Sequence, residues 1–435
     1  MKRGARMAVL AAAAAVVLPL TACGSGDEGN AGSGDALGTG PIDIWYSTNE
    51  QEVAWGDQVV AAWNADHPDE QVTAQAIPAG SSSEDVIGAS ITAGNTPCLV
   101  FNTAPAAVPA FQKQGGLVNL SATFDDAEDY ITGRSGAAAD GFRSADGDLY
   151  QLPWKTNPFM LYYNKTMFAA AGLDPENPQL STYDDLLAAA KAVTESGGAD
   201  VAIYPPATAD YTNVNFDFYP FFLANSGGTQ LIEDGKATFA GDEAMETLEL
   251  WQTLYAEGYA SAEAYSGDMW AGPFADGVAA MGIAGPWGAA QFDGKVEYGA
   301  VPIPTADGTD AAKTSTFADS KNVGLYSSCK NQQTAWDFLK FATDDENDLA
   351  LLETTGQFPT RTDVPELAAD FLAEQPFFAQ FAAAVPLAVD VPTVDGLAEK
   401  MQVFRDAWGE AVQSGSGDLA AVFGEAATTV DGLSG

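Results

Sequence analysis

Histidine is all but absent from this chain: of 435 residues only His67 carries an imidazole. One histidine leaves little scope for a histidine-based triad and none for a two-histidine metal site. His67 precedes Pro68 at the end of an apolar-periodic stretch, where a solvated surface role is the default. Cysteine is nearly as rare. Cys23, Cys98 and Cys329 form no Cys-x-x-Cys pair and no Cys/His cluster, so neither a zinc nor a redox site is indicated. Positive charge is scarce too, with 18 lysines and arginines against 60 carboxylates and a formal net charge of −42. That balance repels phosphate backbones and anionic lipid, which argues against nucleic-acid binding and against membrane docking through a basic patch. No Gly-Lys-Ser/Thr loop occurs, so the chain is no P-loop ATPase. The carboxylates could supply an acid–base pair for glycoside hydrolysis, but no spacing shows two of them converging. No cofactor is indicated.

What is present is material for a globular core, 46% hydrophobic and 18% charged. The length exceeds the ~250–300 residues at which one core stops growing, so two lobes are expected. Residues 1–23 carry a positive segment (Lys2, Arg3, Arg6) and an apolar run from Met7 to Leu20, shorter than the ~20 residues of a spanning helix. They end in Leu20-Thr21-Ala22-Cys23, which resembles a lipobox. Cleavage before a diacylated (palmitate-type) Cys23 would then tether an exported protein to the outer face of the cell membrane. The alternative is a plain signal peptide with an incidental cysteine. Gly, Ser, Asp and Asn dominate residues 24–40, a flexible tether.

Strand and helix patterns then alternate. Ile42–Tyr46, Gln71–Ile77 and Leu99–Phe101 read as strands. A helix with the apolar face Trp55, Val59, Ala62 and Trp63 follows the first of them, and Glu84–Ala93 and Val108–Gln114 read as further helices. Pro153 and Pro158 punctuate an aromatic-rich extended run, and Phe159–Tyr163 reads as a buried strand. Thr182, with Asp185 three residues on, predicts a capped helix with the face Tyr183, Leu186, Leu187 and Ala190. Short loops between strand and helix imply largely parallel sheets covered by helices.

Four stretches, in chain order, carry a resemblance. The first is Leu161-Tyr162-Tyr163-Asn164-Lys165, then Ala171-Gly172-Leu173, Pro175 and Thr182-Tyr183-Asp184-Asp185-Leu186. The second is a strand ending in Gly285-Pro286-Trp287, the third Tyr298–Pro304, and the fourth Gly356-Gln357-Phe358-Pro359-Thr360-Arg361. Together they resemble the extracellular solute-binding proteins of ABC importers typified by maltose- and oligosaccharide-binding proteins. The resemblance implies an α/β, two-lobe periplasmic-binding-protein fold of type II, each lobe a mostly parallel sheet flanked by helices, with a hinge between them. It divides the chain into lobe one at 41–150, lobe two at 151–313, a return to lobe one at 314–345 and lobe-two C-terminal helices at 346–435. It implies a monomer that captures a carbohydrate and hands it to permease subunits, and through them to an ATPase, without catalysis. In an exported chain Cys98 and Cys329 can form a disulfide, with two buried free thiols as the alternative. Thr96-Pro97-Cys98 stands where related sequences often read Thr-Pro-Asp.

A sugar site needs aromatic platforms for C–H faces and Asp, Glu, Asn or Lys for hydroxyls, at strand ends and between lobes. Those places hold Tyr46, Ser47, Asn49 and Glu50 after the first strand, Asn102 after the third, and Trp154, Lys155 and Asn157 at the crossover. Asp319 and Lys321 stand at the return to lobe one. The resemblance implies that the Trp287 ring stacks on the sugar. Trp270 is a second candidate, with core packing as its alternative. Arg405 occupies the place where maltose-type relatives carry another stacking aromatic, while Phe404 and Trp408 beside it read as core, and Tyr163 and Asn164 as structural. Two other readings stay open: a binding protein for a non-sugar solute such as a polyamine, and an exported glycosidase.

Overall fold

The computed structural model describes residues 37–78 and 82–433. The expected signal peptide, Cys23 and most of the expected tether lie outside the described residues. The body Gly38–Gly435 starts before the expected end of the tether. Gly38 and Gly40 are already bonded to Gln333 and Thr334.

Ten strands make two main sheets: β1 (Ile42–Tyr46), β2 (Val72–Ala76), β3 (Leu99–Thr103), β4 (Gln151–Thr156), β5 (Met160–Asn164), β6 (Val201–Ile203), β7 (Ala279–Ala284), β8 (Tyr298–Val301), β9 (Lys321–Leu325) and β10 (Phe358–Pro359). The first sheet runs β10-β4-β9-β3-β1-β2 and the second β8-β5-β7-β6. The expected two-lobed α/β fold is present, but the sheets are mixed instead of mostly parallel. Only β1 with β2 and β3, and β6 with β7, pair in parallel. Strands β4, β5, β8, β9 and β10 pair antiparallel with their neighbours, because the chain enters and leaves each sheet through the crossover.

That crossover shifts two expected boundaries. Strand β4 pairs with β9 in the first sheet, so lobe two begins after Thr156 and not at residue 151. The return lasts beyond 345: helix Asp345–Thr355 packs on helix Glu50–Asp66, Trp55 donates to the Asn347 carbonyl at 2.9 Å, and β10 pairs with β4. A two-residue strand has no readable period, which is why β10 escaped the sequence reading. Three segments lie side by side where the sheets meet. Asn157 and Phe159 N–H groups donate to Ala318 and Phe317 carbonyls at 2.6 and 2.9 Å, and Ala318 N–H donates to Val389 at 3.0 Å.

Local signals are met with one change. Thr182 and Asp185 form the reciprocal capping box, both bonds at 3.0 Å. Helix Glu50–Asp66 buries Glu52, Trp55, Gly56, Val59 and Trp63, leaving the expected Ala62 exposed. Phe404 and Trp408 pack with Phe218 in the second core, as expected. Cys98 and Cys329 are disulfide-bonded across 231 residues. Replacing both with serine should cost about 2–5 kcal/mol, since a long loop is then free in the unfolded chain. Urea unfolding of C98S/C329S beside the parent measures it. Among the described residues no helix is long and apolar enough to cross a membrane.

Candidate functional site

A cleft of about 1480 Å³ opens between groups attached to the two sheets. One wall comes from the first turn of helix Ser83–Ala93, from the loop after β3, and from Asp319 and Lys321 at the start of β9. The other comes from the turn Tyr211–Phe216, from Trp270, and from the start of helix Leu397–Ala407. Two of the three non-glycine residues with positive φ among the described residues sit in it, Asn102 at 69° and Asp319 at 41°. Such backbone costs ~1–3 kcal/mol each, persists only where surroundings impose it, and clusters at functional sites.

Chemistry differs between the walls. Trp270 is 38% exposed, and its ring centroid lies 4.1 Å from Phe216. An indole held half in water on an aromatic neighbour is a platform for an apolar face. Opposite, Lys321 donates to Asp319. Burial works against the Lys321 charge, but the Asp319 charge and hydrogen bond, with Glu84 and Asp390, lift its pKa above the ordinary lysine value. Burial likewise lifts the Asp390 carboxyl, although Ser320 N–H donates to it at 3.1 Å. The Tyr211 phenol is pushed up by burial, then by the charges of Glu84, Asp210 and Asp85.

Of the thirteen expected ligand residues the cleft brings together four: Asn102, Trp270, Asp319 and Lys321. The other nine stand elsewhere. Tyr46 is buried with its hydroxyl donating to the Gly56 carbonyl at 2.8 Å. Asn49 caps helix Glu50–Asp66, accepting from Gln51 and Glu52 N–H at 3.0 Å, and Glu50 is exposed on its first turn. Ser47 donates to Glu52 at 2.6 Å, and Lys155 and Gln357 donate to the same carboxylate, forming a buried knot under the first sheet. Trp154 is sealed between Trp55 and Phe101, at 5.5 and 5.1 Å. Asn157 donates to Gln357 at 3.1 Å and to the Asp319 carbonyl at 3.3 Å.

Trp287 is half-buried and does not line the cleft. Its ring lies edge-on to Phe159 at 6.2 Å and folds back over Gly285, where a Cβ would stand 2.7 Å from Nε1. That close approach accounts for glycine ahead of Pro286-Trp287. Phe159 in turn touches Phe216 at 5.3 Å, so Trp287 backs the aromatic wall from behind. Arg405 is also off the cleft. Its guanidinium pairs with buried Asp217 at 2.5 Å and donates to the Pro206 and Thr208 carbonyls at 3.2 Å, pinning both ends of the segment that bears Tyr211 and Phe216. The sequence reading missed that segment as a site. Its alternation of polar and aromatic residues, Asp210-Tyr211-Thr212-Asn213-Val214-Asn215-Phe216, was the available signal.

With that geometry in place, similarity to known proteins is informative. Residues 47–348 match the family described as bacterial extracellular solute-binding protein. The chain is 30% identical over 235 residues to a maltodextrin-binding protein of Bacillus subtilis, covering 50% of this chain and 52% of that one. It is 26% identical over 372 residues, 79% of each chain, to the sn-glycerol-3-phosphate-binding periplasmic protein of Escherichia coli K12. Among solved structures, an ABC transporter solute-binding protein of Thermotoga lettingae, bound with α-D-tagatose, superposes with a TM-score of 0.74 at 24% identity, covering 90% of this chain and 99% of that one.

Proposed function

The chain belongs to the bacterial extracellular solute-binding proteins, and from that premise we propose that it captures a carbohydrate in the cleft between its lobes. The observation that carries this is the exposed Trp270 indole on Phe216, facing a wall of Asn102, Asp319 and Lys321. A ring's C–H face rests on the indole, and its hydroxyls meet the carboxylates and amides. The glycerol-phosphate specificity of one relative does not transfer easily. Arginine is absent from the described lining, Lys321 is already paired with Asp319, and Lys113 is exposed at the edge, which is a poor set for phosphate. The relatives named for maltodextrin or bound with tagatose support a neutral polyhydroxy ligand.

Family membership makes the protein an exported binding protein. In our reading it works as a monomer, anchored by lipid at Cys23 as the lipobox-like end of residues 1–23 suggests. The lobes close by a hinge at the three-segment crossover, and the closed form delivers its sugar to a membrane permease. The sugar is bound and not cleaved. Thermal unfolding with a panel of mono- and oligosaccharides, run beside an assay for sugar release, tests this. A sugar at 100 times its Kd adds about 2.7 kcal/mol of stability. Trp270→Ala should weaken that sugar by about 2 kcal/mol, roughly thirty-fold in Kd, with the unliganded midpoint little changed. A panel without effect, or an unchanged Kd in W270A, would overturn the reading of the cleft.

A further inference from the structure

The stretch Gly356-Gln357-Phe358-Pro359-Thr360-Arg361 contributes nothing to the lining of the cleft, yet Gln357 is tied to that lining through a buried chain of amides. Gln357 and Asn157 are 2% and 1% exposed, and neither lines the cleft. The chain starts at Glu52, whose carboxylate is held ionised and accepts only. Gln357 therefore turns Nε2 to Glu52, at 2.7 Å, and presents Oε1 on its other side. That oxygen takes the Asn157 Nδ2 donor at 3.1 Å, and the same Nδ2 reaches the Asp319 carbonyl at 3.3 Å. Either amide turned over would set acceptor against acceptor, so one carboxylate fixes the sense of both. Asn157 keeps this orientation although its Oδ1 is then shielded from water with no partner among the described residues.

What the chain holds is the backbone of Asp319, whose φ of 41° is rare for a residue with a side chain. Peptide planes are rigid, so fixing the plane on each side of a residue fixes its φ and ψ. Asn157 does both. Its N–H donates to the Ala318 carbonyl at 2.6 Å, ahead of Asp319, and its side chain holds the Asp319 carbonyl behind. Asp390, from the third crossover segment, accepts from Ser320 N–H at 3.1 Å and grips that second plane from its other end. The turn so held places the Asp319 carboxylate and its partner Lys321 in the cleft wall.

We propose that Gln357 and Asn157 are positioning residues for solute binding: without touching solute, they hold the Asp319 turn so that the Asp319–Lys321 pair faces it. This rests on the cleft being the solute site. It makes the stretch at 356–361 part of the framework of that site and not of its lining.

Two measurements on the intact protein test it. The first needs no solute: competitive labelling of lysines with acetic anhydride across a pH series, read by peptide mass spectrometry, gives the titration of Lys321. The charged groups around Lys321 are Asp319, Glu84 on helix Ser83–Ala93, Asp390 on the third crossover segment and Lys155 on β4. Burial opposes its charge and Asp319 sustains it, so releasing Asp319 should let the Lys321 midpoint fall. Asp319→Asn sets the scale of that fall. Asn157→Ser and Gln357→Met should each show most of it, and the double variant no more than Asn157→Ser alone, because Gln357 acts through Asn157. An unmoved midpoint in both variants, whatever their stability, would overturn the proposal, as would falls that add. Should Asn157→Ser not fold, Gln357→Met decides alone, since Gln357 bonds to Glu52 and Asn157 and stands one residue removed from the pair.

The second is calorimetry with maltotriose and α-D-tagatose. Whichever binds the parent should bind Gln357→Met about ten-fold more weakly, the worth of one hydrogen bond to a charged group. An unchanged Kd beside a lowered Lys321 midpoint would overturn the role in binding. If neither sugar binds the parent, the carbohydrate reading loses its support, and the Lys321 titration still decides whether Gln357 and Asn157 position the wall.

Discussion

Lys155→Met should lower the free energy of unfolding by about 3–5 kcal/mol at pH 7, the cost of leaving a buried charge without its partner. Lys155 is 1% exposed, and its ammonium lies against the Glu52 carboxylate, with its charge also 4.4 Å from the Trp154 ring centroid. Burial is the strongest influence on Glu52 and opposes its charge. The Lys155 charge and the hydrogen bonds from Lys155, Ser47 and Gln357 outweigh it, so the carboxyl is held below its ordinary value of 4.5. The sign of the pH dependence follows. Folded Glu52 takes a proton less readily than the unfolded chain does, so its contribution is full above about pH 4.5 and is lost as pH falls through the depressed value. In Lys155→Met burial dominates and the Glu52 carboxyl rises instead. The stability gap between parent and variant should therefore widen between pH 3.5 and 7, read from urea unfolding at each pH. A gap of equal size at both ends would show that packing, and not charge pairing, is what the lysine supplies.

Arg405→Met should cost a similar ~3–5 kcal/mol, toward the lower end, and should abolish ligand response as well. Burial already raises the Asp217 carboxyl even beside the guanidinium. Without that guanidinium Asp217 takes up a proton, which softens the penalty. The binding loss has a different origin. Arg405 also satisfies the Pro206 and Thr208 carbonyls, and the segment after them carries Tyr211 and Phe216 into the cleft. A double variant, Arg405→Met with Asp217→Leu, separates the two effects. Replacing both charges with apolar groups should recover most of the stability. The unpinned segment should still leave ligand affinity at least ten-fold weaker. Recovery of affinity together with stability would mean that Arg405 matters to the fold and not to the shape of the wall.

Both residues illustrate where local reading stops. The sequence singled out Lys155 and Arg405 as polar side chains at places where ligands bind. Their partners, Glu52 and Asp217, lie 103 and 188 residues away. Nothing in a window of a helix or strand reports a partner at that distance, and burial decides whether a charged group meets solute or carboxylate. Trp287 differs again. Its motif reads as a strand ending in Gly-Pro-Trp at the start of a helix, and strand Ala279–Ala284 and helix Gly288–Phe292 flank it, but ring direction is set by Gly285 and Phe159, which fold it behind the cleft wall.

Determined by the sequence alone were the features with a period or a local partner. These are the strands β1, β3 and β5, the capping box at Thr182 and Asp185, the apolar faces of the long helices, the two-lobe organisation and the family. Each follows from side chains a few residues apart or from a motif of contiguous residues. Only the tertiary structure decided the mixed sheets, the short β10, the reach of the first lobe to Pro359 and the lining of the cleft. Those depend on which segments cross between the lobes, and on which polar groups are buried with a partner when they do. A polar residue in a loop has the same local pattern whether it faces solute or salt bridge, and only the packing around it separates the two.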